Sequence, residues 1–197
     1  MRKPPFIPQP VILQGKTIRV EPAEARHVPA LLRHGELNAF RLFGTRRPAA
    51  WSQEALADYV ASTNELPNVL SCAMVLQDND DAVGMSSFMD IRPADLGLEI
   101  GMTWIAPAFR GTTVNPECKL LMLRHAFETL GCERVQLKTD LRNVQSQRAI
   151  EKLGAKKEGI LRRHIQMPDG HMRDTVMYSV VREEWPEVEK GLLSRLA

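Results

Sequence analysis

Leu98-Glu99-Ile100-Gly101-Met102-Thr103-Trp104-Ile105, followed by Ala106-Pro107-Ala108-Phe109 and Arg110-Gly111-Thr112-Thr113-Val114-Asn115, leads into a helical run from Pro116. The order is a strand, a tight turn, an amide-rich loop and a helix start. Asn115 is a good N-cap residue and Pro116 suits the first helical position. Leu120, Leu123, Phe127 and Leu130 then recur at helical spacing, and Gly131 stands where a glycine closes a helix. A loop of this kind delivers free backbone N–H groups to a helix N-terminus. Unpaired amides and the helix dipole both favour an anion there, phosphate above all. Arg110 adds a fixed positive charge at the loop entrance. An ordinary strand-to-helix connection has the same outline, so the loop alone leaves both readings open.

On either side of this stretch the chain alternates between strands and helices. Residues 1–10 carry four prolines and read as an extended arm. Val11–Leu13 and Thr17–Val20 read as two short strands around Gln14-Gly15-Lys16. Pro22 opens a helix with Val28, Leu31 and Leu32, on which His27 and His34 are expected at solvated or helix-end positions. Residues 38–50 place Phe40, Arg41, Phe43, Arg46 and Arg47 around Gly44. Aromatics there either plug the core edge or line a binding site. Ser52 caps the next helix, and 72–76 and 82–89 form a hairpin. Val135, Leu137 and Thr139 alternate as a strand. A helix from Asn143 ends at Gly154, and a long hairpin over 155–181 turns at Pro168-Asp169-Gly170. A C-terminal amphipathic helix closes the chain. This order predicts an α+β fold with a mixed twisted sheet. No internal repeat or linker breaks 1–197, which reads as a single domain.

Composition narrows the function classes. With 197 residues, 44% hydrophobic and 25% charged, the chain has the balance of a globular protein. A net charge of +2 gives no global attraction to nucleic acid or anionic lipid. Arg162, Arg163 and Arg173 are candidates for a local basic patch, or simply scattered surface arginines. No apolar run reaches the length of a membrane span, and the proline-rich start lacks a signal core. Cys72, Cys118 and Cys132 have neither disulfide-framework nor zinc-ligand spacing, which fits a reducing cytoplasm. Cys118 reads as a small buried hydrophobe. His125, His164 and His171 have no metal-like spacing, and no metal is expected.

Pro107-x-x-Arg110-Gly111-x-x-x-Asn115 resembles the acetyl-CoA pyrophosphate loop of the GCN5-related N-acetyltransferases (GNAT). Thr113 and Asn115 stand where that loop usually has small residues. Asn115-Pro116-Glu117 and the later Asn143-x-x-Ser146 are more similar to the RimJ/RimL-like branch. The resemblance spans residues 11 to 185. It implies a mostly antiparallel sheet flanked by helices and splayed at its central strands. It implies acetyl-CoA as cosubstrate, with Arg110, Gly111, Thr112, Thr113, Val114 and Asn115 on the pyrophosphate. The pantetheine arm would lie along Met102, Trp104 and Ile105, with Asn143 and Ser146 opposite. Segment 38–50 would form one wall of the acceptor site.

Acetyl transfer to an amine needs a proton acceptor, donors for the developing oxyanion and a donor for the leaving thiolate. Glu99, set among Leu98, Ile100 and Met102, is either a general base facing a cleft or a glutamate on a solvated strand face. The resemblance implies a backbone amide near Met102 for the oxyanion. Many members have a tyrosine seven residues after the asparagine, where this chain has Ile150, and Ser146 is the replacement. Its hydroxyl can donate to sulfur directly. Trp104 can equally be core, and Asn143 and Ser146 can equally be capping residues. Asp174 and Tyr178 share a strand face, as a buried hydrogen bond or an acceptor-site feature.

The function expected is acetyl-CoA-dependent transfer to a primary amine, either a protein N-terminus or a small amine, by direct attack. The alternatives are a non-catalytic CoA-binding sensor module and a ribosome-associated interaction protein using the hairpin around Arg162 and Arg163. A homodimer through that hairpin is a further expectation.

Overall fold

The 98–105 strand lies near the middle of a sheet in which every neighbouring pair but one is antiparallel. The computed structural model describes residues 9–44 and 46–197, so most of the expected N-terminal arm falls outside the described residues. The strands are β1 (Leu13–Gln14), β2 (Ile18–Pro22), β3 (Leu70–Leu76), β4 (Ala82–Arg92), β5 (Gly97–Ile105), β6 (Arg134–Asp140), β7 (Lys156–Gln166) and β8 (Met172–Val181). They lie in the order β1-β2-β3-β4-β5-β6-β8-β7. The helices are α1 (Val28–His34), α2 (Gln53–Asn64), α3 (Val114–Arg124), α4 (Val144–Lys152) and α5 (Trp185–Ser194).

Each face of the sheet buries its own apolar cluster. One contains Cys118 and Met122 of α3, Ile150 of α4 and Val188 of α5, packed with Val176, Tyr178 and Val180 of β8. The other gathers Leu31 of α1, Leu56 and Tyr59 of α2, Phe40 and Trp104. Strand alternation explains the division, because successive side chains point to opposite faces. β3 is covered on both faces and is apolar at nearly every position.

Two irregularities in β5 shape the centre of the sheet. Met85 of β4 pairs with Trp104, whereas Ser87 pairs with Gly101, so Met102 and Thr103 stand outside the ladder as a bulge. Met102 adopts φ +50°, a left-handed backbone that a non-glycine residue enters at a cost. On its other side β5 pairs in parallel with β6 only through Gly97, Leu98 and Glu99, opposite Arg134, Val135 and Gln136. Beyond Glu99 the two strands part, which is the splay that the resemblance implied.

Several boundaries differ from the expectations. The first strand begins at Leu13, and Ile12 is exposed. Pro22 ends β2 instead of opening a helix, and the helical chain starts three residues later with a 3-10 turn at Ala25–His27. His27, expected at a solvated or helix-end position, stands at a helix end as the N-cap of α1, but it is buried, and its Nε2 is 2.8 Å from Glu21 Oε1. Burial holds its pKa below the ordinary histidine value, against the opposing pull of Glu21. α3 starts at Val114, so Thr113 is the N-cap and Asn115 and Pro116 lie inside the first turn. Ser52 caps α2 as expected, its hydroxyl accepting from Ala55 N at 3.2 Å. Gly131 has φ +76°, the left-handed conformation that closes the α3 segment after a π turn over His125–Thr129.

Candidate active site

The parting of β5 from β6 opens a cleft of about 570 Å³ that runs from the 38–46 segment to the N-termini of α3 and α4. Size and mixed lining are those of a small-molecule site. Glu99, Met102, Trp104, Ile105, Arg110, Asn115, Asn143 and Ser146 all line it. Of the residues expected to act in catalysis or to bind acetyl-CoA, Gly111, Thr112, Thr113 and Val114 are outside the lining, in the loop and helix start at its mouth.

That loop is built to leave amides free. Gly111 takes φ +78°, and a Cβ there would meet nothing within 4 Å. Among the described residues, the N–H groups of Gly111, Thr112 and Thr113 donate to no protein acceptor. Val114 N, by contrast, donates to Thr112 Oγ1 at 3.3 Å, while that hydroxyl donates to Phe109 O at 2.7 Å. Arg110 does not point at the amides. Its Nε donates to Ile105 O at 3.1 Å and its Nη2 to Glu36 at 2.9 Å. It braces the end of β5, with its guanidinium engaged away from the free amides. Thr113 is exposed and makes no side-chain cap. Just below, Asn115 Oδ1 is buried with no hydrogen-bond donor. An orphaned acceptor of this kind is costly unless a ligand supplies the donor.

Trp104 is nearly sealed off. Its ring lies 5.3 Å from Phe40 and 6.0 Å from Trp51 in the second core cluster. Its side chain is therefore part of the core, although its Nε1 is buried with no hydrogen-bond partner among the described residues. Phe40 belongs to the same cluster, and Phe43 packs against it while lining the cleft, so residues 38–44 both plug the core and wall the site.

Glu99 is 1% exposed, not solvated. Its Oε2 accepts from Gln136 Nε2 at 2.9 Å and pairs with Lys138 Nζ at 2.9 Å. Its Oε1 lies against Gly101, where a Cβ would come within 2.8 Å. Any side chain at 101 would displace the carboxylate. His164 lies within electrostatic reach of Glu99, Lys138 and Arg173. Burial, then Lys138 and Arg173, hold its pKa below the ordinary histidine value.

Across the gap, Asn143 caps α4, its Oδ1 accepting from Ser146 N at 3.0 Å. Ser146 is half-buried at the cleft, and its hydroxyl has no protein partner among the described residues. Tyr178, on the α4 side of the sheet, donates to Glu151 at 3.1 Å. Asp174 accepts from Arg163 N at 2.7 Å and supports a bulge in β7. Both are structural.

Sequence reasoning missed Lys119. It lies one turn below Asn115, 4% exposed, with Nζ donating to Ser86 Oγ at 3.0 Å and Thr103 Oγ1 at 2.7 Å. No carboxylate pairs with it among the described residues. Burial holds its pKa below the ordinary lysine value. Through Thr103 it clamps the bulge that presents Met102. A lysine inside an amphipathic run gives little sign of this, because the partners come from β4 and β5. Arg173, expected on the surface, is 6% exposed and lines the same cleft. Among the described residues no group of three or more His, Cys, Asp or Glu side chains could hold a metal.

The chain is similar in sequence and in fold to proteins of known class. The sequence matches the family model of the acetyltransferase (GNAT) domain over residues 17–156. A crystal structure from T. thermophilus, provisionally an acetyltransferase, superposes with a TM-score of 0.90 at 41% identity, covering 98% of this chain and 100% of that one. A GCN5-related N-acetyltransferase from Brucella melitensis gives a TM-score of 0.89 at 26% identity, with 96% and 87% covered. YdaF of Bacillus subtilis (strain 168), provisionally named a ribosomal N-acetyltransferase, is 30% identical over 102 residues, 52% of this chain and 55% of its own. The chain thus spans about half the length of that curated relative. On the family match over residues 17–156, in agreement with the splayed sheet, this chain belongs to the GNAT acetyltransferase domain family.

Proposed function

We propose that the protein is an acetyl-CoA-dependent N-acetyltransferase that moves an acetyl group to a primary amine by direct attack. The observation that carries this reading is the continuous cleft joining the free amides of Gly111–Thr113 to Glu99 and Ser146 through the β5–β6 gap. The residues present suit acetyl-CoA, which supplies an activated thioester. Three free amides at a helix N-terminus suit its pyrophosphate. The orphaned Asn115 Oδ1 suits one of its N–H groups, and the strand edge beyond Glu99 suits an extended amide-bearing arm.

The remaining work falls to side chains of this chain. Glu99 Oε1, the oxygen free of Lys138 and Gln136, takes the amine proton directly or through water. The bulge at Met102, clamped by Lys119 through Thr103, directs a backbone amide at the developing oxyanion. Ser146 donates to the leaving sulfur. Trp104 and Ile105 contribute main chain.

The Bacillus subtilis relative is named for N-acetylation connected with the ribosome, which suits a protein amine, such as an N-terminus, as acceptor, and a small amine fits the same opening. Three buried free cysteines suit a cytoplasmic setting. No helix among the described residues is long and apolar enough to cross a membrane. Exposed Ile160 and Leu161 on the outer strand β7 suit a second copy of the chain, which sedimentation would detect. The test of function is release of free thiol from acetyl-CoA with a panel of amines, with acetylated product identified by mass. Acetyl-CoA binding without thiol release on any amine would instead make the protein a CoA-binding module.

A further inference from the structure

Six cationic side chains line the cleft, those of Arg41, Arg46, Arg110, Lys119, Lys138 and Arg173, against one carboxylate, Glu99. Two are matched, Arg110 by Glu36 and Lys138 by Glu99. Lys119 is consumed by two hydroxyls. Arg41, Arg46 and Arg173 have no carboxylate partner among the described residues. Arg46 donates only to Ser62 O at 3.2 Å.

Arg173 is the decisive one. It is more than nine-tenths buried, yet among the described residues its side chain donates only from Nε to Thr175 Oγ1, at 3.0 Å. The nearest acidic groups are committed elsewhere. Asp140 is held by Arg142 through Nε and Nη2, and Glu99 by Lys138 and Gln136. Asp140 and Glu99 attract Arg173 without bonding it, so the cost of burying this guanidinium is only partly offset, and the residue lines the cleft. An anionic ligand group would remove that cost.

The position of Arg173 separates it from the pyrophosphate loop. On β8, Val176, Tyr178 and Val180 face the α3–α4 side of the sheet, so Arg173 and Thr175 face the opposite side by alternation. That is the side of Glu99, Lys138 and the 38–44 wall, where Gly44 approaches Ile165.

Resting on the acetyltransferase reading above, we infer that the acceptor is an amine that carries a carboxylate, and that Arg173, assisted by Arg41, binds that carboxylate while the amine faces Glu99. Two sources offer this chemistry, a free amino acid and a peptide whose N-terminal residues are acidic. Polyamines and other cationic amines are disfavoured by the same charges.

The experiment compares kcat/KM for acetylation of glutamate, glutamine amide, an amidated Ser-Glu peptide, its Ser-Gln counterpart and spermidine. The expected result is a preference of 10–100-fold for the carboxylate member of the free pair or of the peptide pair, the size of one charge-assisted contact. The pair that shows it identifies the source. Arg173→Gln should bring that ratio near unity, and Arg173→Lys should keep part of it. If Arg173→Gln does not fold, exposed Arg41→Gln should lower the ratio several-fold instead. Equal use of both members of each pair by the wild type, or an Arg173→Gln ratio unchanged in a folded protein, overturns the inference while leaving acetyl transfer intact. Failure to acetylate any of the five, with binding of acetyl-CoA retained, overturns the underlying reading and this inference with it.

Discussion

At the α3 end the cleft offers main-chain N–H groups on an exposed loop, whereas its other wall offers the buried side chains of Glu99 and Arg173 and the half-buried Lys138. The first is local. Fourteen consecutive positions, from Gly101 through Val114, contain the bulge, the strand end, the turn and the helix cap. The second is assembled from β5, β6 and β8, with Arg41 from a loop 58 positions before Glu99. Main-chain sites tolerate many side chains, so they depend on backbone shape. Side-chain sites depend on residue identity at every point. Substitutions should therefore hurt transfer most on the side-chain wall and least on the loop.

Glu99→Gln gives the largest expected effect. With Glu99 as base, the transfer rate constant falls on the order of 100–10,000-fold and the pH–rate profile loses its acidic limb, with acetyl-CoA affinity kept. Single-turnover transfer across pH checks this. A lowered melting temperature with an unchanged profile would reduce Glu99 to an anchor for Lys138.

Ser146→Ala comes next, at on the order of 10–100-fold in single-turnover transfer with little change in affinity, because a donor to departing sulfur acts in the transition state. A destabilised protein that transfers normally would make Ser146 only a first-turn residue of α4.

Lys119→Met sharpens the comparison from inside, since the cation supports main chain. Loss of the clamp should lower transfer several-fold while Ser86 and Thr103 keep their mutual 2.8 Å bond. The pH dependence has a definite sign. Lys119 binds its proton more weakly folded than unfolded. Between the lowered folded value and the ordinary lysine value, the unfolded chain therefore carries more protons. Wild-type stability should then rise with pH relative to the variant across that window, and be lost relative to it as pH falls. Parallel melting curves of the two proteins from neutral to alkaline pH would remove the buried cation from the account.

Thr113→Gly should matter least. Thr113 is exposed and caps nothing with its side chain, so acetyl-CoA affinity should tighten or stay within about twofold. A large loss in titration calorimetry, with the fold intact, would give the loop a side-chain contact and blur the division between the two walls.

The same division explains how much is legible in the sequence. Alternation at Val135 and Leu137, the Asn143 cap and the hairpin turn at Pro168–Gly170 are short-range signals, and the strand order agrees with them. The sequence points to an α3 start two residues too late, because Asn115 and Pro116 suit a cap and a first position, yet Thr113 and Val114 take them. His27, Lys119 and Arg173 escape a sequence reading because burial of a polar group depends on partners elsewhere in the fold. Glu21, Thr103 and Thr175 supply those partners, and no periodicity announces them.

The bend between β1 and β2 is fastened from far along the chain. The buried carboxylate of Glu117, in the first turns of α3, accepts from the backbone amides of Lys16, Thr17 and Ile18, with Thr17 at 3.1 Å and Ile18 at 3.2 Å. Three successive donors at that bend thus wait for an acceptor about 100 positions downstream. During synthesis from the N-terminus these three amides lack this acceptor until residue 117 has left the ribosome. This early-made segment, closed first by Gly15 N to Ile18 O and by Gln77, is therefore completed only later, and its latch is the helix that follows the Gly111–Thr113 loop.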